Sequence, residues 1–236
     1  MDPKFRGTYI EVSFSVPGAL ITNQATNDTT VEEWFVKYVV PFIDEFTINY
    51  IVVGDKVIPG LNDNILPVMK SLQNLLNSRY LGQVKITTMV GLAALGVQTP
   101  PSSGAFDPNV LENMKGILQF LWGQGSPLML SLYPHYAYAY TRYTNNINVG
   151  DVAIAIGETG WPTQGNYGAG PSLALTYNLN FNNPITSGKG TPMKPNVYIE
   201  GFIRSLFNEN EKPEGESQFY GMFHVDSTPI YPYVFN

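Results

Sequence analysis

Apolar runs of strand length alternate with stretches of helical periodicity along this chain, and that alternation limits the possible folds more than any other feature. Residues 10–16, 48–53, 84–90, 128–132, 152–156 and 197–206 read as strands. Between several of them the spacing turns helical. Thr30 to Glu33 makes a capping box ahead of Val31, Trp34, Phe35, Tyr38, Val39 and Phe42 on one face. Residues 64–80 repeat the pattern with Ile65, Val68, Met69, Leu72, Leu75 and Leu76. Asp107-Pro108 reads as an N-cap with proline in the first turn, opening Val110, Leu111, Met114, Ile117, Leu118 and Leu121. Pro171 opens a further helix through Leu175, Leu179 and Phe181. Strands alternating with helices imply parallel strands and an α/β fold. At 236 residues, 44% of them hydrophobic, with no repeat or linker, the chain is read as one domain over residues 1–236.

One strand end stands out chemically. Residues 152–156 are apolar on both faces, as in a parallel sheet. Gly157, Glu158, Thr159, Gly160, Trp161, Pro162 and Thr163 follow. The two glycines are expected to break the strand and Pro162 to end regular structure. Glu158 is then held at the C-terminal end of a buried strand beside an indole, the end where parallel β/α architectures do their chemistry. A carboxylate against an aromatic plane is suited to binding and attacking sugars. The plainer alternative is a glutamate that caps the next turn.

Charge narrows the partners. The formal charge is −6, only 14% of residues are charged, and no basic run occurs, which argues against nucleic acid. Aromatic residues make up 13% of the chain, a composition suited to neutral ligands. With no cysteine there is no disulfide or thiolate chemistry, and the two histidines, His135 and His224, are too far apart in sequence to suggest a metal site. No cofactor or metal is called for. No apolar run is long enough to span a membrane, and Met1-Asp2-Pro3-Lys4-Phe5-Arg6 lacks the apolar stretch of a signal peptide. Asn27-Asp28-Thr29 is a glycosylation sequon, relevant only to a secreted chain.

Polar motifs fall at strand ends. Gly54-Asp55-Lys56 follows the second strand, Tyr133-Pro134-His135-Tyr136 the fourth, the Glu158 motif the fifth, and Phe207-Asn208-Glu209-Asn210 the sixth. In a closed barrel all four would converge on one rim and line a cleft.

These residues resemble the plant endo-β-1,3-glucanases, family 17 of the glycoside hydrolases. The matching pieces are Tyr50-Ile51-Val52-Val53-Gly54, Pro127-Leu128-Met129, Tyr133-Pro134, Gly157-Glu158-Thr159-Gly160-Trp161-Pro162-Thr163, Gly190-Thr191-Pro192, Phe207-Asn208-Glu209-Asn210-Glu211-Lys212 and Tyr220-Gly221-Met222-Phe223, in the family's order. The resemblance implies a (β/α)₈ TIM-type barrel, an extracellular or vacuolar plant protein and a cleft for β-1,3-glucan. It places Glu158 at the nucleophile position and Glu209 and Lys212 among the accessory polar residues of the cleft. Tyr133, Tyr136, Trp161 and Phe207 are read as aromatic faces along it.

Two departures from the family pattern bear on activity. Retaining hydrolysis needs two carboxyl groups about 5–5.5 Å apart. The family's general acid is a glutamate in a Val-Gly-Asn-Glu-Val run, which here is Val53-Gly54-Asp55-Lys56-Val57. Lysine thus replaces the acid and aspartate the neighbouring asparagine. A lysine, with an ordinary pKa near 10.4, is ill matched to protonating a leaving group. An ionised aspartate cannot donate the hydrogen bond that the asparagine would give the substrate. Lys56 is expected to ion-pair with Glu158, which would weaken the nucleophile. A later family glutamate aligns with Ser217, with Glu216 adjacent. The second departure is length. By the resemblance, the family's first two strand–helix units and a helix between Tyr140 and Val152 are expected to be missing, and six strands are read where a barrel needs eight. An incomplete or open barrel would leave strand edges unprotected and favour a homo-oligomer. The chain is therefore read as a glucanase-like protein with little or no hydrolytic activity that binds β-1,3-glucan or its oligosaccharides. The alternatives are a retaining glucanase using Glu158 with Glu209 or Asp55 as acid, and a structural, storage or defence protein without sugar binding.

Overall fold

The computed structural model describes residues 11–97, 104–131, 152–165, 167–190 and 195–232. They form two compact units, the first containing residues 11–97, 104–130 and 152–154 and the second residue 131 and the described residues from 155 onward. Tyr133, Pro134, His135, Tyr136 and the segment expected to have lost a helix lie outside the described residues.

The first unit follows the alternation read from the sequence. Its elements are β1 (Glu11–Val16), α1 (Gly18–Gln24), α2 (Asp28–Tyr38), β2 (Thr47–Asp55), α3 (Asn62–Ser78), β3 (Lys85–Val90), β4 (Leu95–Val97), β5 (Ala105–Phe106), α4 (Leu111–Gln124) and most of β6 (Leu128–Ser131). Strands β1, β2, β3 and β6 are neighbours in that order and pair in parallel. Five successive residues of β3, Ile86 to Val90, are buried, so both faces of the strand are covered, as parallel sheets require. Two of the five are threonines, and each hydroxyl is satisfied by a backbone carbonyl. Thr87 Oγ1 donates to Pro127 O at 2.6 Å and Thr88 Oγ1 to Val53 O at 2.7 Å. Helix α3 buries Ile65, Val68, Met69, Leu72 and Leu76, and α4 buries Met114, Ile117, Leu118 and Leu121. Each such side chain contributes about 1.5–3 kcal/mol of gross transfer free energy. Asn113 ties the two helices, accepting from Asn62 at 3.0 Å and donating to Asp63 at 2.8 Å.

The second unit holds β7 (Ile154–Thr159) from Ala155 on, α5 (Pro171–Thr186) and β8 (Glu200–Ile203), with β7 and β8 parallel. Ile156 and Phe181 pack with Ile185, Ile199 and Ile203, while Ala174, Met222 and Tyr231 gather Trp161, Leu175 and Phe223. Gly201 is needed here, because a Cβ would stand 2.6 Å from the Phe181 ring.

Several boundaries differ from the sequence reading. Helix α2 begins before the expected capping box. Asn27 is its cap, accepting from Thr29 N at 3.0 Å, and Thr30, already inside the first turn, donates its hydroxyl back to Asn27 O at 2.7 Å. Tyr38, assigned to the buried face, is 45% exposed. Asp107 closes an Asx turn onto Asn109 N at 2.8 Å, and α4 starts only at Leu111. In α5 the buried positions are Ala174, Asn178 and Phe181, with Leu179 turned outward. Gly157 does not break β7. The strand runs on to Thr159 because a register shift between Ile156 and Thr159 absorbs an extra residue. Strand β8 is shorter than expected, and Val197 is exposed. The β4–β5 hairpin and α1 carry too few apolar positions to be read from periodicity.

Candidate active site

Both principal sequence candidates sit at irregularities in the C-terminal ends of parallel strands. In the first unit, Val52 pairs with Thr87 and Asp55 with Met89, so β2 spends three steps where β3 spends two. Gly54 occupies the extra position with φ 79°, and Lys56, immediately beyond the strand, has φ 56°. Lys56 N is fixed to Met89 O at 2.9 Å. This bulge, with left-handed Gly54 inside it and left-handed Lys56 just beyond, presents Asp55 and Lys56 at the strand end. The Lys56 ammonium lies 3.4 Å from Asp55 Oδ1, with both side chains about two-fifths exposed. At that exposure the pair is worth about 0–1 kcal/mol. The lysine stem lies over Gly91, where a Cβ would come within 3.3 Å of its Cγ.

The second unit repeats the device at β7. Ile156 pairs with Gly201 and Thr159 with Ile203, so Gly157 and Glu158 together face one residue of β8. Glu158 Oε1 is held by Arg204 Nη1 at 3.0 Å, with the carboxylate side chain 15% and the arginine 26% exposed. Ser131 Oγ lies 3.4 Å from Oε2. Arg204 is fixed at three points. Its amide donates to Thr159 O at 2.6 Å, its guanidinium bonds the carboxylate, and its plane lies 4.5 Å from the centre of the Tyr220 ring. Gly160 makes room for this stack, since a Cβ there would touch Tyr220 and Arg204. Arg204 was not among the residues singled out by sequence. Its signal was faint, a lone cation just past a short apolar run, and its partner is 46 positions away, the difference of 204 and 158. The bulges were more legible, because an isolated glycine in a strand pattern marks one.

The other candidates take ordered places. Trp161 packs against Tyr177 with ring centroids 5.7 Å apart, and its indole N–H donates to Gly168 O at 3.0 Å. Tyr177 in turn shares a 2.6 Å bond with Thr159, the residue after Glu158. Phe207 is half-buried 6.0 Å from the Phe223 ring. Glu209 and Lys212 pair at 2.6 Å on one turn, which Gln218 braces by accepting from Glu209 N at 2.9 Å and donating to Lys212 O at 2.5 Å. Glu216 and Ser217 lie in the short turn Glu216–Gln218. Among the described residues no group of acidic, histidine or cysteine side chains could hold a metal ion. None of their helices is long and apolar enough to cross a membrane.

Two contacts from different residues, Arg204 and Ser131, limit the rotation of the Glu158 carboxylate. The sequence pattern of glycosyl hydrolases family 17 matches residues 3–149 and 141–235. Probable glucan endo-1,3-beta-glucosidase BG4 of Arabidopsis thaliana is 34% identical over 94% of this chain and 76% of its own length. Lichenase-2 of Hordeum vulgare is 30% identical, over 96% and 83%. In three dimensions the chain superposes on CJP38, a beta-1,3-glucanase and allergen of Cryptomeria japonica pollen, with a TM-score of 0.84 and 29% identity, covering 97% of this chain and 84% of that one. For a structure from a study of two plant beta-glucan endohydrolases with distinct substrate specificities, the TM-score is 0.82 at 27% identity, over 96% and 85%.

Proposed function

The chain belongs to glycosyl hydrolases family 17, with the glucan endo-1,3-β-glucosidases among its relatives and a TIM-type α/β barrel fold, and from that membership we propose a β-1,3-glucan-binding protein with little or no hydrolytic activity. The proposal rests on Lys56. By the family resemblance this residue occupies the place of the general acid, and it stands at the β2 bulge where such a group would be presented. Leaving-group protonation contributes about 10²–10⁴ to rate, and a lysine ammonium is too weak an acid to supply it near neutral pH.

The two carboxyl groups considered as stand-ins are poorly disposed for the role. Asp55 faces the Lys56 ammonium at 3.4 Å and Glu209 the Lys212 ammonium at 2.6 Å. A proton on either would disrupt an existing ion pair. Binding is supported by the partly exposed rings of Trp161 and Phe207 beside the Glu158 and Glu209 motifs, and by relatives named for action on 1,3-β-glucan. We carry an extracellular or vacuolar location as part of the same proposal.

A reducing-sugar assay on laminarin tests it. The unmodified protein is expected to release negligible sugar, and Asp55→Asn with Lys56→Glu should raise the rate by about 10²–10⁴. Robust turnover by the unmodified protein, abolished by Glu158→Gln, would overturn the reading and reveal another acid. Calorimetry with laminari-oligosaccharides showing no heat would favour a structural or storage role.

A further inference from the structure

The turn between α1 and α2 carries a motif that the strand ends do not use. Asn27-Asp28-Thr29 is the only Asn-X-Ser/Thr triplet in the chain, and its three residues are exposed, as is Thr26 before them. Asn27 commits only its side-chain oxygen to the fold. Oδ1 accepts from Thr29 N at 3.0 Å and caps α2, while none of the described residues accepts a hydrogen bond from Nδ2. Asp28 is turned aside to Ser71, whose hydroxyl donates to its Oδ1 at 2.5 Å. Gln24 and Thr30, three residues to either side of Asn27, both line a groove of about 250 Å³ between α1 and α2. Thr30 also donates its hydroxyl to Asn27 O at 2.7 Å, so the cap stands at the groove's rim. Farther along, the groove is lined by Leu20 and Tyr38, 37% and 45% exposed.

We propose that Asn27 is the acceptor of an N-linked oligosaccharide, which runs from the cap along the α1–α2 groove over Tyr38. The inference rests on the extracellular or vacuolar location proposed above, because the co-reactant, an oligosaccharide joined through pyrophosphate to a lipid, belongs to the secretory route. In the transfer, Nδ2 bonds to the anomeric carbon of the first N-acetylhexosamine while that carbon's bond to the pyrophosphate oxygen breaks. The pyrophosphate departs with the electron pair, and one Nδ2 proton passes to a base of the transferase. The product is still an amide. Its Oδ1 is untouched, so the cap onto Thr29 N and the sugar coexist on one side chain. At about 1.5 Å per residue, Tyr38 stands roughly 16 Å along α2 from Asn27. A chain of several sugar rings reaches that far, and the exposed surfaces of Leu20 and Tyr38 give it apolar area to cover.

The full chain, directed into the secretory route of a eukaryotic host by a cleavable leader, tests this. Peptide mass mapping should find the sugar on Asn27 in most molecules, and Asn27→Gln and Thr29→Ala should each give bare protein. Peptide N-glycosidase removes the glycan and leaves an aspartate, which caps equally well, so the urea midpoint should hold. Asn27→Gln loses the cap as well as the sugar and should unfold at lower urea. Tetranitromethane should nitrate Tyr38 several-fold more slowly before the glycan is removed than after, with the fully exposed Tyr167 unchanged. A secreted, folded chain with bare Asn27 would overturn the inference. A midpoint that rises on removing the glycan would show sugar and cap in competition, against it, and Tyr38 nitrated at equal rates would remove the groove from it. The location reading fails differently: a chain glycosylated behind the leader, yet recovered from the cytosol of its own cells, defeats the location alone.

Discussion

At the scale of single residues, the two principal candidate positions lie where the backbone departs from regularity. Lys56 combines a side chain with chemical consequences and a φ of 56°, a region that costs a non-glycine residue about 1–2 kcal/mol. Lys56→Ala and Lys56→Gly remove the same contacts with Asp55 and Gly91 but differ in that cost. Urea denaturation is expected to show the glycine variant more stable than the alanine variant by about 1 kcal/mol. Equal stabilities would mean that the left-handed turn is not maintained in solution. Gly54 has the opposite sensitivity. Its φ is 79°, and a Cβ would lie 2.5 Å from Val57 Cγ2. Gly54→Ala is expected to cost about 1–3 kcal/mol in the same measurement. Arg204 shows why residue-level reading has a horizon. A cation that meets its carboxylate only where two parallel strands end leaves no trace in local periodicity, whereas Glu158 announces itself through the glycines and tryptophan around it.

At the scale of elements, legibility followed the strength of the apolar pattern. The described strands begin or end within a few residues of where the runs of Val and Ile place them, because alternatives would expose those runs to water. Starts of helices were less secure. Thr30 with Glu33 satisfies the capping-box spacing, yet Asn27 captures the first turn with its own side chain three residues earlier. Two nearby cap signals compete, and tertiary packing of Val31, Trp34 and Phe35 suits the longer helix. Asn27→Ala should therefore lower stability by about 1 kcal/mol, while Asn27→Asp, which caps equally well, should leave it nearly unchanged. An identical loss for both would transfer the capping role elsewhere. The bulges in β2 and β7 belong to this scale too. Each inserts one residue at a candidate side chain, so each re-aims that side chain relative to the neighbouring strand.

At the scale of the whole molecule, the parallel β/α plan was readable from alternation, and the α/β barrel class accords with the match to CJP38. The division into two compact units was not readable, because no linker or composition shift accompanies it. We propose that residues 1–236 nonetheless act as one domain. A ligand that binds only the native state at a hundred times its Kd adds about 2.7 kcal/mol to global stability. Hydrogen exchange with saturating laminari-oligosaccharide should accordingly show protection growing in β2 and β7 alike. Protection confined to the second unit would separate the two.

The seating of Trp161 has an optical consequence. Of the three tryptophans, Trp34 is buried at 5% and Trp122 is 60% exposed, while Trp161 lies half-covered beside Tyr177 with its N–H engaged. Their emission should sort accordingly, with Trp34 shielded from iodide, Trp122 freely quenched and red-shifted, and Trp161 in between. Replacing Trp122 with phenylalanine removes the bright background. What remains is emission from Trp34 and Trp161, and under the proposed glucan binding Trp161, three residues after Glu158, should darken or brighten as laminari-oligosaccharide is added, which would make it a built-in reporter of occupancy.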